Sequence, residues 1–296
     1  MRQVFAFLSD IHAPFHDPRC ILLARERLRY LQPSLIVFGG DVMDCYLEGR
    51  FVRVGSRVEK LVQELEASKW VIDTISEAAP GARKIMLEGN HEFRHKAFIA
   101  NMAAILEGYP GLSLEEGLGL AARGVEYVHS KAGNASVKIG PLLFSHGERY
   151  GVNPARMELM DNLCSGVSGH VHRMTEARVS SSTSGVDWKW LTSGCLSLPG
   201  HYRDRTNEHL GFVSGWIDER AGTFHMQHET IHAEPTTYGR ATLYAPEGEY
   251  YTILAPNVDG GFIVKCASDK ATKADAPKPS RKVGKAKGKA KKAKRG

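Results

Sequence analysis

The sequence predicts an α/β fold, and two observations carry that prediction. Over roughly the first hundred residues, short apolar runs alternate with longer amphipathic stretches. That rhythm belongs to parallel strands joined by helical crossovers. Beyond residue 125 the apolar segments become short, alternating and bounded by turn residues, as in antiparallel strands.

The elements follow in order. Residues 4–8 form an apolar run ending at Ser9-Asp10 and read as a buried strand. Pro14 and Pro18 break the chain, and residues 19–31 carry Ile21, Leu22, Leu28 and Leu31 at helical spacing. A second apolar strand at 35–38 is stopped by Gly39-Gly40-Asp41. Residues 57–79 read as a long amphipathic helix, with Val58, Leu61, Leu65, Trp70, Ile72 and Ile75 on or near one face and Pro80-Gly81 as its stop. A third strand at 84–87 ends at Gly89-Asn90-His91, and a helix over 92–106 follows. Strands are then expected at 125–128, 137–139 and 142–144, and a short helix at 153–163. An antiparallel meander is expected near 176–179, 188–192, 211–217 and 223–228, with further strand-like pieces at 250–254 and 261–266. This divides the chain into a principal domain at 1–234, a strand-like extension at 235–267 and a tail at 268–296. The tail is reduced to Lys, Ala, Gly and Pro, cannot bury a core, and is expected to be disordered.

Composition narrows the function classes. The chain has 296 residues, 42% hydrophobic and 24% charged, which is enough for a full core. No apolar run approaches the roughly 20 residues needed to span a bilayer, and the N-terminus is too weakly apolar for a secretory segment. A cytoplasmic location and no membrane partner are therefore expected. The five cysteines are scattered, without a CxxC pair, which argues against a disulfide framework and a zinc–thiolate site. The net charge of +6 divides unevenly: residues 270–296 hold ten Lys, two Arg and one Asp, so the remaining 269 residues carry −5. An acidic body with a strongly basic tail points to a polyanion, such as nucleic acid, as partner of the tail.

Five short blocks carry the chemistry: SDIH with Asp10 and His12, GGDVMD with Asp41 and Asp44, GNHE with Asn90, His91 and Glu92, SHG with His146, and GHVH with His170 and His172. The first three lie at the carboxyl ends of expected parallel strands, where ligands collect. Asp10 and His12, two apart on an extended segment, would point the same way, as would His170 and His172. Asp41 could bridge two ions with its two oxygens. Asn90 offers an amide oxygen, and His146, His170 and His172 complete a set of N and O donors suited to divalent cations. Two such ions roughly 3.5–4 Å apart activate water and neutralise phosphate oxygens. Asp44 and Glu92 read as groups that orient ligands through hydrogen bonds. Arg94, Arg149, His16 and His95 lie near the blocks and could touch substrate, and Cys45 could line the site.

The ordered set D-x-H, G-D-x-x-D, G-N-H-E, His-Gly and G-H-x-H resembles the calcineurin-like metallophosphoesterases over about residues 4–230. The resemblance implies two face-to-face β-sheets flanked by helices, an αββα sandwich, with 1–234 as the catalytic domain. It implies that Asp10, His12, Asp41 and His172 hold one metal and that Asp41, Asn90, His146 and His170 hold the other. His91 would stand beside the scissile bond, donating a proton to the leaving alkoxide or stabilising the phosphoryl group. The donor set admits Mn, Fe, Zn, Co or Ni, with Mn²⁺ expected to support activity. One departure matters. The phosphoprotein phosphatase branch resembles G-D-x-V-D-R-G at the second block, and Cys45 stands here in place of that phosphate-clamping arginine. The expectation is therefore a two-metal phosphodiesterase acting on nucleic acid. The alternative is a phosphomonoesterase or small-molecule phosphodiesterase whose tail is irrelevant. A binding protein on a dead scaffold is disfavoured because every expected ligand is present.

Overall fold

A computed structural model describes residues 2–49, 60–106, 108–200, 207–234, 239–245, 247–254 and 263–268. Strand β1 (Gln3–Leu8) leads through helix α1 (Pro18–Leu31) to β2 (Leu35–Phe38), then through α2 (Leu61–Ser76) to β3 (Arg83–Leu87) and through α3 (Asn90–Met102) and the short α4 (Leu114–Leu118) to β4 (Val125–Val128). These four strands are parallel neighbours in one sheet. The chain then crosses to a second sheet with β5 (Ser136–Ile139), β6 (Leu142–Ser145), α5 (Pro154–Asn162), β7 (Ser165–Ser168), β8 (Thr175–Ser181) and β9 (Val186–Thr192). It returns to the first with β10 (Leu210–Asp218), β11 (Thr223–Ala233), β12 (Ala241–Tyr244), β13 (Glu249–Leu254) and β14 (Ile263–Ser268). The strand orders are β14-β13-β12-β11-β10-β1-β2-β3-β4 and β5-β6-β7-β9-β8.

The apolar runs explain the layering. All four residues of β2 are buried. Side chains alternate across a strand, so Leu35 and Val37 face one core while Ile36 and Phe38 face the other. The first core lies between the sheets, where Phe5 and Phe7 of β1 meet Leu142 and Phe144 of β6. Phe5 and Phe144 pack edge to face at 5.1 Å, a favoured aromatic geometry. The second core lies beneath α1 and α2, with Ala6, Leu8, Ile36 and Phe38 against Ile21, Leu28, Val71 and Ile75. On the outside of the smaller sheet, Ala155 and Leu159 of α5 pack on Trp190. The result is helix, sheet, sheet, helix.

Three expectations change. The anticipated meander is split: β8 and β9 form one hairpin in the smaller sheet, while β10 and β11 form another in the larger. The larger sheet has an open side at β1, and β10 takes it in antiparallel pairing. The second half is not wholly antiparallel either, since β6, β7 and β9 run parallel. Helix α3 begins at Asn90, so Asn90 and His91 lie in its first turn and not on a strand-end loop. The pieces beyond residue 235 extend the large sheet through β12 to β14. Residues 57–59 of the expected second helix, and 269–296 of the tail, lie outside the described residues. Among the described residues no helix is long and apolar enough to cross a membrane.

One buried ion pair joins α1 to the returning strands. Arg27 Nε and Nη2 donate to Glu229 Oε2 and Oε1 at 3.1 and 3.2 Å, both side chains being fully buried. Nη2 also reaches Glu247 Oε2 at 2.6 Å. Removing one member leaves an uncompensated buried charge. Arg27→Ala is therefore expected to lower unfolding free energy by about 3–5 kcal/mol, read from urea midpoints. A loss under about 1 kcal/mol, the range of an exposed pair, would contradict this account of the pair.

Candidate metal centre

All five blocks converge at the carboxyl ends of β1, β2, β3, β6 and β7, strands drawn from both sheets. Backbone hydrogen bonds stitch them. Ile11 and His12 donate N–H to Asp41 O at 2.8 and 2.9 Å, and Gly169 N–H donates to His146 O at 2.9 Å. The carboxylates do the same across greater distances in sequence. Asp10 accepts the His170 N–H on Oδ1 and Oδ2 at 3.0 and 2.9 Å, and Asp41 Oδ1 accepts the His91 N–H at 2.9 Å.

The side chains gather in overlapping groups. Asp10, His12 and His172 bring one donor atom each within 4.8 Å of one another, as do Asp41, His146 and His170. Asn90 Oδ1 joins the second trio, 3.0 Å from His146 Nε2 and 2.8 Å from His170 Nδ1. Asp41 lies between them, Oδ2 at 3.9 Å from His12 Nε2 and Oδ1 at 3.4 Å from His146 Nε2. A third trio, His12, Asp44 and His91, shares His12 with the first. The extended geometry expected for D-x-H and H-x-H is not what brings the pairs together. Asp10, His12, Asp41, His170 and His172 all have left-handed backbone, with φ of 56, 51, 53, 71 and 55°. These tight turns, and not strand pleating, aim the side chains inward.

Neighbouring groups set which ring nitrogen faces the centre. His146 Nδ1 donates to Gly39 O at 2.9 Å, His12 Nδ1 lies 3.2 Å from Asp44 Oδ1, and His172 Nδ1 lies 3.4 Å from Glu208 Oε1. Each acceptor favours an Nδ1–H tautomer that leaves Nε2 as a bare donor toward the centre. His12 Nε2 and His172 Nε2 then face each other at 3.0 Å. Two facing lone pairs repel, and a cation or a proton is what relieves them. With two further carboxylates buried alongside, the donor chemistry fits divalent cations.

The electrostatics agree. Burial alone would raise Asp10 and Asp41, but the imidazoles around them, His172 at Asp10 and His146 at Asp41, hold both below the usual carboxylate range. Burial would lower His146, yet the Asp41 charge outweighs it and pushes His146 up to about 9. His172 is likewise driven upward against burial by Asp10, Cys195 and Glu208. Burial and neighbouring imidazoles push His12 and His170 down to about 4.

The flanking residues separate into distinct roles. Asp44 is buried, and its Oδ1 lies 3.2 Å from both His12 Nδ1 and His91 Nδ1. His91 Nδ1 donates to Asp44 O at 2.7 Å, while Nε2 lies 3.7 Å from Asp41 Oδ2. Arg94 caps this corner, with Nη2 2.7 Å from His91 Nε2 and Nη1 3.2 Å from Asp44 O. Glu92 binds no side chain of the cluster. Its carboxylate accepts the N–H groups of Asp41, Met43 and Gly89 at 2.9, 2.9 and 3.0 Å, pinning the loop that carries Asp41. Burial and the Asp41 charge push it up to about 7. The Arg149 guanidinium pairs with Asp161. His95 is tied to Glu48 and Leu112 O, at 2.8 and 2.7 Å, and the His16 ring lies tilted against Trp70, ring centres 5.3 Å apart. Neither joins the trios. Cys45 is buried within the helix-side core, and burial drives its thiol well above the ordinary range.

Sequence reading missed several supports. Glu64 accepts N–H from Cys45 and Tyr46 at 2.7 and 3.3 Å. Glu158 Oε1 accepts those of Glu148 and Arg149 at 2.7 and 2.8 Å. Glu208 backs His172. All three lie outside the blocks, so local pattern had no means of marking them. Two block glycines are fixed by space. A Cβ on Gly89 would lie 2.3 Å from Asp41 Oδ1, and one on Gly169 would lie 1.9 Å from Ser9 Oγ.

The calcineurin-like phosphoesterase family matches residues 4–174. Among solved structures, vacuolar protein sorting 29 from Cryptosporidium parvum shares 12% identity at a TM-score of 0.39, covering 90% of this chain and 97% of its own. A single-substitution variant of Vps29 from Entamoeba histolytica shares 13% at 0.35, covering 90% and 99%. Vps29 from Chaetomium thermophilum shares 10% at 0.35, covering 90% and 96%. No curated protein matches the chain. The family match spans more than half of the sequence and contains all five blocks, so this chain belongs to the calcineurin-like phosphoesterases, a family of metal-dependent phosphoester hydrolases.

Proposed function

We propose that this phosphoesterase is a two-metal phosphodiesterase acting on nucleic acid. The observation that carries the two-metal reading is Asp41, whose two oxygens face the two donor groups. Asp10, His12, Asp41 and His172 would hold one ion, and Asp41, Asn90, His146 and His170 the other, with Mn²⁺ as the favoured metal. When bound, such a pair supplies Lewis-acid charge at the phosphate. The chain's own part is orientation. Asp44 fixes the rings of His12 and His91, Glu92 holds the Asp41 loop, and His91 presents Nε2 toward Asp41. To protonate a leaving alkoxide, His91 Nε2 must exchange its Arg94 partner for the substrate oxygen.

Two features support a diester of nucleic acid. The basic tail supplies a dozen cations for a phosphate backbone, an affinity that is insensitive to base sequence and sensitive to salt. Cys45, in place of a clamping arginine, is buried and neutral. One observation favours the monoester reading: Arg94 brings a guanidinium to His91 from α3, a cation that could bind a phosphate dianion.

Three outcomes test this reading. First, Asp41→Ala should reduce Mn²⁺-dependent hydrolysis by about three orders of magnitude, since several kcal/mol of charge stabilisation are lost. Wild-type protein that cleaves neither DNA nor RNA above that variant would end the nucleic-acid reading. Greater turnover of para-nitrophenyl phosphate than of its bis ester, lost in Arg94→Ala, would establish the monoester reading instead. Second, deleting residues 269–296 should weaken nucleic-acid affinity and flatten its salt dependence, by roughly 0.7–0.9 in log–log slope for each phosphate no longer neutralised. An unchanged slope would remove the tail from the account.

Third, loading must release protons. His146 is protonated below about pH 9 in the metal-free protein, and a ligand imidazole must be neutral. Apparent Mn²⁺ affinity should therefore rise with pH toward about 9 and fall as acid restores the imidazolium. Calorimetric titration at pH 7 in buffers of different ionisation enthalpy measures the release. Zero net release would contradict the assignment of His146.

A further inference from the structure

Beside the second donor trio lies a cavity of about 420 Å³, within the range of small-ligand sites. Asn90 and His170 form its inner wall, and Gly133, Gly147, Tyr150 and Met157 form much of the remainder. Tyr150 is 75% exposed, although it is a large aromatic side chain, and its ring centre lies 6.2 Å from that of His170. Glu158 explains why it projects. By accepting the N–H groups of Glu148 and Arg149, it fixes the loop immediately before Tyr150. Met157, also exposed, lines the same cavity.

The cavity carries one acidic and one basic side chain. Its two ionic side chains, Glu148 and Arg149, are each already partnered, by Asn134 and Asp161 respectively. Among the described residues it therefore offers no free cation for a second phosphate. What it offers is a ring face, a polarisable thioether and glycine backbone, next to the atoms where a phosphoester would sit.

Building on the nucleic-acid reading above, we propose that this cavity is the subsite for the nucleoside esterified to the scissile phosphate, with its base stacked on Tyr150. A stacked base contributes without sequence preference, since every base has a π-face. Tyr150 acts here as a substrate-positioning residue and lies outside the metal-ligand set.

The test compares two diesters: the para-nitrophenyl ester of thymidine 5′-monophosphate, which carries a base, and methyl para-nitrophenyl phosphate, which does not. Wild-type KM should be at least about tenfold lower for the nucleoside ester, a stacking contribution within the range measured for base–aromatic contacts. Tyr150→Ala should abolish that preference by raising KM for the nucleoside ester alone, with kcat little changed, and Tyr150→Phe should retain it. The exposure of Tyr150 makes the variants safe for folding, which circular dichroism and Mn²⁺ content would verify. An unchanged preference in Tyr150→Ala, or equal loss on both esters, overturns the subsite. Cleavage of the small esters without cleavage of DNA or RNA overturns the nucleic-acid reading, while the ester pair still decides the subsite. Hydrolysis of neither ester overturns both.

Discussion

The structure depends on two buried carboxylates that each hold a distant loop. Asp10 takes the N–H of His170 from the other sheet, and Asp41 takes that of His91 from the neighbouring crossover. An isolated ionised carboxylate in a protein interior is strongly unfavourable. These two are tolerated because backbone donors and imidazoles surround them. The same bonds that make the charges bearable bring strands of two sheets to one point. Fold and site are here a single set of interactions: loosening one loop would uncover a charge as well as displace a donor.

The geometry needed for this is costly elsewhere. Five of the seven proposed ligands adopt left-handed backbone, a region that side-chain-bearing residues seldom occupy. Such strain persists where the surroundings over-determine it, and it concentrates at functional sites. The surroundings are visible: strands with buried carboxyl ends fix the start of each turn, and Glu92 satisfies three N–H groups within the turns of the second and third blocks. Left-handed turns also shorten the reach of each loop. Short aspartates and imidazoles from four loops can then meet Asn90 at the start of α3 without long, flexible side chains, which limits the entropy lost in assembling the centre.

How much of this was legible depended on the range of the interaction. The buried runs VFAFL and LIVF announced β1 and β2, and the apolar spacing of 19–31 announced α1, because local period mirrors the face each residue buries. The ligand blocks were legible because their donors must be particular residue types. By contrast β7, Ser-Gly-Val-Ser, carries no strand signal, yet all four residues are buried. Its serines are satisfied by Trp190 Nε1 and Lys189 N, and Gly166 is needed where a Cβ would lie 2.5 Å from Leu143 O. Those partners come from other strands, so nothing local could reveal them. The same holds for Glu64, Glu158 and Glu208. The two-residue spacing of D-x-H correctly grouped Asp10 with His12, but for the wrong geometric reason, since a left-handed turn replaced the extended segment.

Charge distribution gives the last step. Excluding residues 270–296, the chain carries −5, and the proposed centre concentrates carboxylates at one point. A polyanionic substrate would meet that field at close range, because fields of exposed charges decay over about 8 Å in physiological salt. Two divalent ions reverse the sign locally, but only within the crevice. In the proposed function the +11 of residues 270–296 acts at the longer range, raising the encounter rate and retaining the polymer while the centre selects one phosphate. The Tyr150 cavity, with no free cation among the described residues, then has a clear place in the division of work. On that proposal the tail would supply attraction and the metals charge neutralisation, which would leave recognition beside the scissile bond to the aromatic face of Tyr150.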